Sequence, residues 1–295
     1  MPRPSSLTLA KDAIFSAFAR AQHKAYSEAE LNGVLLENRA AWELAESTKA
    51  TDFIRFLTEQ GELKSHRFQS EQYGRTITRY SWGKASPLEL ALSIKSRGYL
   101  CHATAATLHG LIKHSSATIY LNAEQTAKPS SSGQLMQQSI DRAFSNQQRR
   151  SNLTYKSGRL SVTMLAGKNT NGLGVEEMAG PVGEHLRVTN LERTLIDMVV
   201  RPAYSGGLPH VFKAFRAAKT RVSVSRLLAT LSELDYVYPY HQAIGYLMEK
   251  TGHPETSYAK LRALGLDYDF YLVHGMEEPD YSKEWRLFHP RPRTS

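Results

Sequence analysis

The chain has 295 residues, of which 41% are hydrophobic and 22% charged; the length suits two domains and the composition can bury a sizeable core. Its 37 Lys and Arg against 28 Asp and Glu leave a formal charge of +9, which favours a polyanionic partner, because each cation beside a phosphate releases condensed counterions. A single cysteine, Cys101, excludes an internal disulfide framework, and no apolar run reaches the roughly 18–20 residues of a membrane span. The start, "MPRPSSLTLAKDAIF", has neither the apolar block nor the cleavage site of a secretory signal. The expectation is a soluble, cytoplasmic protein with no membrane partner.

The first segment predicts three helices and a hairpin. "LTLAKDAIFSAFARAQ" repeats Ile14, Phe15, Phe18 and Ala21 at helical spacing. A second helix opens on a Ser27–Glu30 capping box and carries Leu31, Val34, Leu35 and Trp42 to about Ala45. A third starts on Ser47 or Thr48, presents an apolar face of Phe53, Phe56 and Leu57, and stops at Gly61. "ELKSHRF" and "RTITRYSW" then read as strands joined by "QSEQYG". This order is that of a winged helix-turn-helix over residues 1–84, although these residues hold only 12 basic against 10 acidic side chains.

From residue 85 to 295 the pattern is that of a larger mixed α/β domain with a helical end, so the fold class expected is α+β. Two helices flank Gly98-Tyr99, "ATIYL" reads as a buried strand, "KPSSSGQL" as a loop and Leu135–Gln147 as a helix. "NQQRRSNLTYKSGRLSVTML" is basic and strand-prone, and "GKNTNGLGVEEMAGPVGEH" is loop-rich. Helices follow over 190–200, 207–218, 224–234 and 240–251, then a late strand in "DYDFYLVHG" and a basic tail, "SKEWRLFHPRPRTS".

The stretch "RVTNLERTLIDMVVRPAYSGGLPHVFKAF" describes a packed helical corner. Thr189 and Glu192 predict a capping box. Arg193 and Asp197, four apart, share a helix side and can pair. Pro202 stops the helix, and Gly206-Gly207 supplies positive φ for a tight return. "VTNLERTLIDMVVRPAYSGGL" resembles the signature of the AbiEi family, the antitoxin and transcriptional regulator of abortive-infection AbiE systems. "RGYLCHATAATLHGLI" and "HQAIGYLMEKTG" with "EWRLFHP" resemble two further family segments, so the resemblance covers most of residues 85–290. After its Trp-x-Leu the chain continues "FHPRPRTS" where the family pattern has an asparagine. The resemblance implies a bacterial two-gene phage-defence pair. Its regulator binds repeats of double-stranded DNA in its own promoter and counters a nucleotidyltransferase-like toxin, with no direct contact implied.

A reader of duplex DNA needs a helix with polar side chains near its start, able to enter a major groove about 12 Å wide. The third helix offers Thr48, Lys49, Thr51, Asp52 and Arg55. Arg55 suits bidentate reading of guanine, Lys49 and Thr51 phosphate contact. The hairpin adds Lys64, His66, Arg67, Arg75 and Arg79 for backbone or minor-groove contact, and Arg149, Arg150, Lys156 and Arg159 form a possible second basic surface.

Other chemistries have thinner support. His102 and His109 lie seven apart beside Cys101, a spacing that suits packing better than metal ligation, and no metal or cofactor site is expected. Asp267 and Asp269 have the spacing of nucleotidyl transfer without the glycine-serine turn that should precede them, and the acids near Lys283 lack the spacing of a nuclease core. No phosphate-binding loop or nucleophile elbow is present. The expectation is therefore no enzyme. The alternatives are a nuclease or nucleotidyl-transfer enzyme, or a module that neutralises its partner by contact.

Overall fold

The computed structural model describes residues 4–70, 72–113, 117–127 and 134–291. Most of the serine-rich loop expected at 128–135 and the last four residues of the basic tail lie outside these. The fold is mixed α+β, with twelve α-helices among the described residues.

The expected first helix is two: α1 (Ser6–Leu9), capped by Ser5, and α2 (Lys11–Arg20), separated by Ala10 at φ −84° and ψ 0°. A short strand, β1 (Ala25–Tyr26), precedes α3 (Glu28–Asn38), whose Ser27–Glu30 capping box forms in both directions. The helix ends at Asn38, well before Ala45. Asn38 donates back to the Val34 carbonyl, and the Arg39 guanidinium gathers the carbonyls of Ala45, Glu46 and Thr48 into a turn that buries Trp42 and Leu44. Helix α4 (Ala50–Glu59) then starts later than expected: Lys49, not Ser47 or Thr48, holds the cap position, without a side-chain bond. Strands β2 (Leu63–Ser70) and β3 (Arg75–Trp82) form the hairpin. Ile14, Phe18, Leu31, Leu35, Phe53 and Leu57 close one core with Tyr26 and Trp82, each large side chain contributing about 1.5–3 kcal/mol.

Next come α5 (Pro87–Ser93), on a Ser86–Glu89 capping box, β4 (Tyr99–Leu100), α6 (His102–Leu108), β5 (Thr118–Asn122) and α7 (Gln137–Phe144). Strands β6 (Thr154–Ser157), β7 (Leu160–Leu165), β8 (Val175–Ala179) and β9 (His185–Thr189) follow. Strand β8 lies in the segment expected to be loop, its half-buried Val175 and Met178 separated by Glu176 and Glu177, which hide the alternation. All nine strands make one mixed sheet, β1-β3-β2-β6-β7-β5-β4-β9-β8. The hairpin joins the rest through Gln69 opposite Lys156. Residues before 84 thus own a core, yet Ala25 and Phe68 pack with Leu100, Leu121, Val162 and Val188 in the next one.

The helical end holds α8 (Leu191–Val200), a 3-10 turn over Pro202–Ser205, α9 (Leu208–Ala218), α10 (Val224–Leu234), α11 (Tyr240–Lys250) and an unforeseen α12 (Glu255–Arg262). The late strand shrinks to β10 (Phe270–Tyr271), which pairs in parallel with β12 (Leu287–His289); β11 (Asp280–Ser282) completes this small sheet. Gly206 and Gly207 have φ of +81° and +83°, the left-handed turn the sequence predicts. Gly245 is obligatory for a different reason: a Cβ there would meet the Trp285 ring at 2.1 Å.

Candidate functional site

Helix α4 buries Phe53, Ile54 and Leu57 and leaves Lys49, Thr51 and Arg55 exposed, with Thr48 and Asp52 half-exposed. Its period places the apolar stripe against the core and the polar positions toward solvent. Arg55 donates to Asp52 at 2.9 Å, their side chains 65% and 45% exposed. Such a pair is worth at most about 1 kcal/mol, so the guanidinium is available to another acceptor.

The hairpin cations do not share one surface. Cross-strand register sets Lys64, His66, Arg75 and Arg79 on one face and Arg67 on the other. The middle of the first face is packed: Phe68 and Ile77 join the second core. Arg79 is not a free cation, since its guanidinium donates to the carbonyls of Ser93 and Ile94 and ties β3 to α5. His66 is bonded to the Ser81 hydroxyl at 2.8 Å, and burial, aided by Lys64, lowers its pKa. Lys64, Arg67 and Arg75 are exposed, Arg75 at the hairpin tip beside Tyr73 and Gly74.

The second basic run is divided too. Lys156 and Arg159 are exposed on and after β6, next to the hairpin. Arg149 and Arg150 belong elsewhere: the Gln148 amide donates to the Val200 carbonyl, and the Ser151 N–H donates to the Tyr204 hydroxyl. The backbone that carries these two arginines therefore runs along the corner that carries Arg201. All three guanidinium groups are exposed, and among the described residues none makes an ion pair.

Behind that corner lies a buried polar network. Asn190, not Thr189, caps α8, accepting from the Arg193 N–H. The expected capping box is absent because Thr189 ends β9, its hydroxyl bonded to that of Thr194, while Glu192 accepts from the Ser223 N–H. The Arg193 Nε donates to Asp197 at 2.8 Å with both side chains under 10% exposed, and its Nη1 reaches the Leu173 carbonyl. Burial opposes the Arg193 charge, but Asp197, Tyr236 and Tyr99 more than offset it and raise its pKa. His109 bonds the Thr189 carbonyl at 2.7 Å. The segments "RGYLCHATAATLHGLI" and "VTNLERTLIDMVVRPAYSGGL" thus pack on each other. Likewise Gly245 and Gln242 of α11 seat Trp285, whose carbonyl accepts from the Gln242 amide and whose Nε1 donates to Glu249.

The Arg193–Asp197 pair lines a cleft of about 880 Å³, together with His102, Asn122, Lys168, Arg201 and Tyr236. His102 is 6% exposed and has a φ of +50°, a conformation uncommon outside glycine, asparagine and aspartate. Its ring packs edge-on to Tyr204 at 5.4 Å, and among the described residues neither ring nitrogen has a hydrogen bond, Nδ1 being fully buried. Burial lowers its pKa to about 4, with Asp197 opposing and Arg201 and Arg193 adding to the shift. Burial raises the Cys101 pKa as well, so its thiol is protonated. Lys168 donates to the carbonyls of Leu234 and Asp235. Sequence reasoning singled out His102, Arg193 and Asp197 separately; nothing in their spacing joins α6 to α8.

Asp269 is held by Arg286 at 3.0 Å and by the Tyr281 hydroxyl, hydrogen bonds that lower its pKa, so it is committed to the small sheet rather than paired with Asp267. Among the described residues no group of three His, Cys, Asp or Glu could hold a metal, and no helix is long and apolar enough to cross a membrane.

No protein-family model matches the chain, and no curated protein does. Among solved structures it is similar to the RV2827C protein from Mycobacterium tuberculosis, at 16% identity and a TM-score of 0.53, over 97% of this chain and 92% of that one. At this identity the likeness establishes a shared fold.

Proposed function

We propose that the chain is a DNA-binding transcriptional regulator, the antitoxin of a bacterial abortive-infection toxin–antitoxin pair that represses its own promoter in the cytoplasm. In this reading residues 1–84 are a winged helix-turn-helix. The observation that carries it is the open polar face of α4: Lys49, Thr51 and Arg55 stand clear of the core while Phe53, Ile54 and Leu57 anchor the helix from behind. A helix so presented enters a major groove with Arg55 on a guanine edge and Lys49 and Thr51 on phosphates. Arg75, at the hairpin tip, takes a phosphate on the flank. Arg79 has no such role, being used within the fold. The AbiEi-like segments support the antitoxin part and supply the partner class, a nucleotidyltransferase-like toxin countered without a stable complex.

The test is an electrophoretic mobility series with duplex DNA from upstream of the gene, set against a scrambled duplex. Arg55→Ala is expected to weaken binding by about 1–3 kcal/mol and to relax sequence preference. Arg75→Ala weakens binding to both duplexes and lowers the salt slope by about 1. A wild-type protein that does not prefer the upstream duplex overturns the proposal.

A further inference from the structure

We infer that the cleft over α8 is a binding site for a nucleoside phosphate, its phosphate met by Arg201 at the mouth and its base taken up beside His102 and Tyr236. The inference is independent of the DNA-binding reading, since no residue of α4 takes part.

Four observations converge. The volume of about 880 Å³ lies within the range of small-molecule sites. The cleft has two kinds of wall, an apolar one with Leu135, Leu165 and Val200 and a polar one with Lys168 and Asn169, which suits a ligand that is flat and apolar at one end and charged at the other. At the mouth Arg201 lies over the Tyr204 ring at 5.9 Å without an acid. Inside, a buried imidazole lacks a hydrogen-bond partner and is held at φ +50°. An unsatisfied buried polar group costs about 1–3 kcal/mol, and a residue held in a sparsely populated backbone region marks a candidate functional position. An inorganic anion alone would leave the apolar wall and the imidazole unmatched, and a hydrocarbon would leave Arg201 unmatched. A nucleoside phosphate satisfies both ends: the uncharged imidazole exchanges a hydrogen bond with a base edge or a ribose hydroxyl, and the Arg201 guanidinium takes the phosphate.

A free mononucleotide and the phosphorylated end of a strand present this same chemistry. The experiment is titration calorimetry of the full chain with AMP, GMP, CMP and UMP, with inorganic phosphate, and with a 5′-phosphorylated tetranucleotide. At least one mononucleotide or the tetranucleotide is expected to bind with a Kd below about 1 mM, and inorganic phosphate at least about tenfold more weakly. Binding by the tetranucleotide alone assigns the site to strand ends; binding by a mononucleotide assigns it to the free ligand. Arg201→Gln, at an exposed position, should weaken binding about tenfold or more without lowering the melting temperature. His102→Asn, a residue that accepts positive φ, should weaken nucleotide binding and leave that of inorganic phosphate unchanged. Arg55→Ala should leave every one of these affinities unchanged, which separates failure here from failure of the DNA-binding proposal. Absence of binding by all mononucleotides and the tetranucleotide, or equal binding by wild type and Arg201→Gln, overturns the inference.

Discussion

Helices α4 and α8 carry the same chemical pair in opposite circumstances. Asp52 and Arg55 meet at 2.9 Å with side chains 45% and 65% exposed; Arg193 and Asp197 meet at 2.8 Å with side chains 6% and 8% exposed. Water screens the first and competes for both partners, so little free energy holds it and the arginine can be drawn to a stronger acceptor. The second is almost wholly shut off from solvent, so losing one partner strands a buried charge and the pair is a fixture of the fold. The contrast separates two kinds of polar residue that look alike in a sequence: those free to meet a ligand and those used to close a corner.

The sharpest way to break the comparison is to remove one acid from each pair. Asp197→Ala should cost about 3–5 kcal/mol, because it strands a buried guanidinium; urea unfolding followed by circular dichroism reads it. Asp52→Ala should cost less than about 1 kcal/mol in the same experiment. Equal losses would contradict the distinction. Next in size is Gly245→Ala, whose Cβ would overlap the Trp285 ring; overpacking of this kind costs about 1–3 kcal/mol or more, and a loss below this range would show that the indole has room to move.

Acid distinguishes the regions further. The His102 pKa falls from 6.5 to about 4 on folding, so the folded chain binds the proton less tightly than the unfolded one. The neutral ring's contribution is fully present above pH 6.5 and is lost as pH falls toward 4. By pH 5 this one residue accounts for a loss of about 2 kcal/mol, and the lowered pKa values of His241, His253 and His274 add to it in the same direction. His102→Asn should lose less stability than wild type between pH 7 and pH 5; equal losses would remove His102 from the explanation. The smallest effect expected is on DNA: Asp52→Asn removes an acid from the α4 face and should strengthen duplex binding about twofold, by the few tenths of a kcal/mol that a screened surface charge is worth.

Much of the helical pattern was legible because apolar spacing and glycine punctuation act locally. The hairpin, the α8 corner with its Arg193–Asp197 pair, and the two left-handed glycines follow from the residues that form them. What failed depended on distant partners. The end of α3 is set by Arg39 collecting carbonyls up to Thr48, and the cap of α8 passed from Thr189 to Asn190 because Thr189 is claimed by β9. Arg79 read as a free cation until the carbonyls of Ser93 and Ile94 accounted for it. The cleft was invisible for the same reason, since β4, β5, α6, α8 and the end of α10 bring its residues together only in three dimensions.

The central claim, that α4 reads duplex DNA, is tested most directly by photo-crosslinking from within that helix. Because Cys101 is buried, a Thr51→Cys variant can be labelled selectively with a thiol-directed crosslinker, with Thr107→Cys, exposed on α6, as the control. The account predicts a sequence-dependent adduct with the upstream duplex from position 51 and none from position 107. A labelled protein that retains operator affinity yet gives no adduct from position 51 would contradict it.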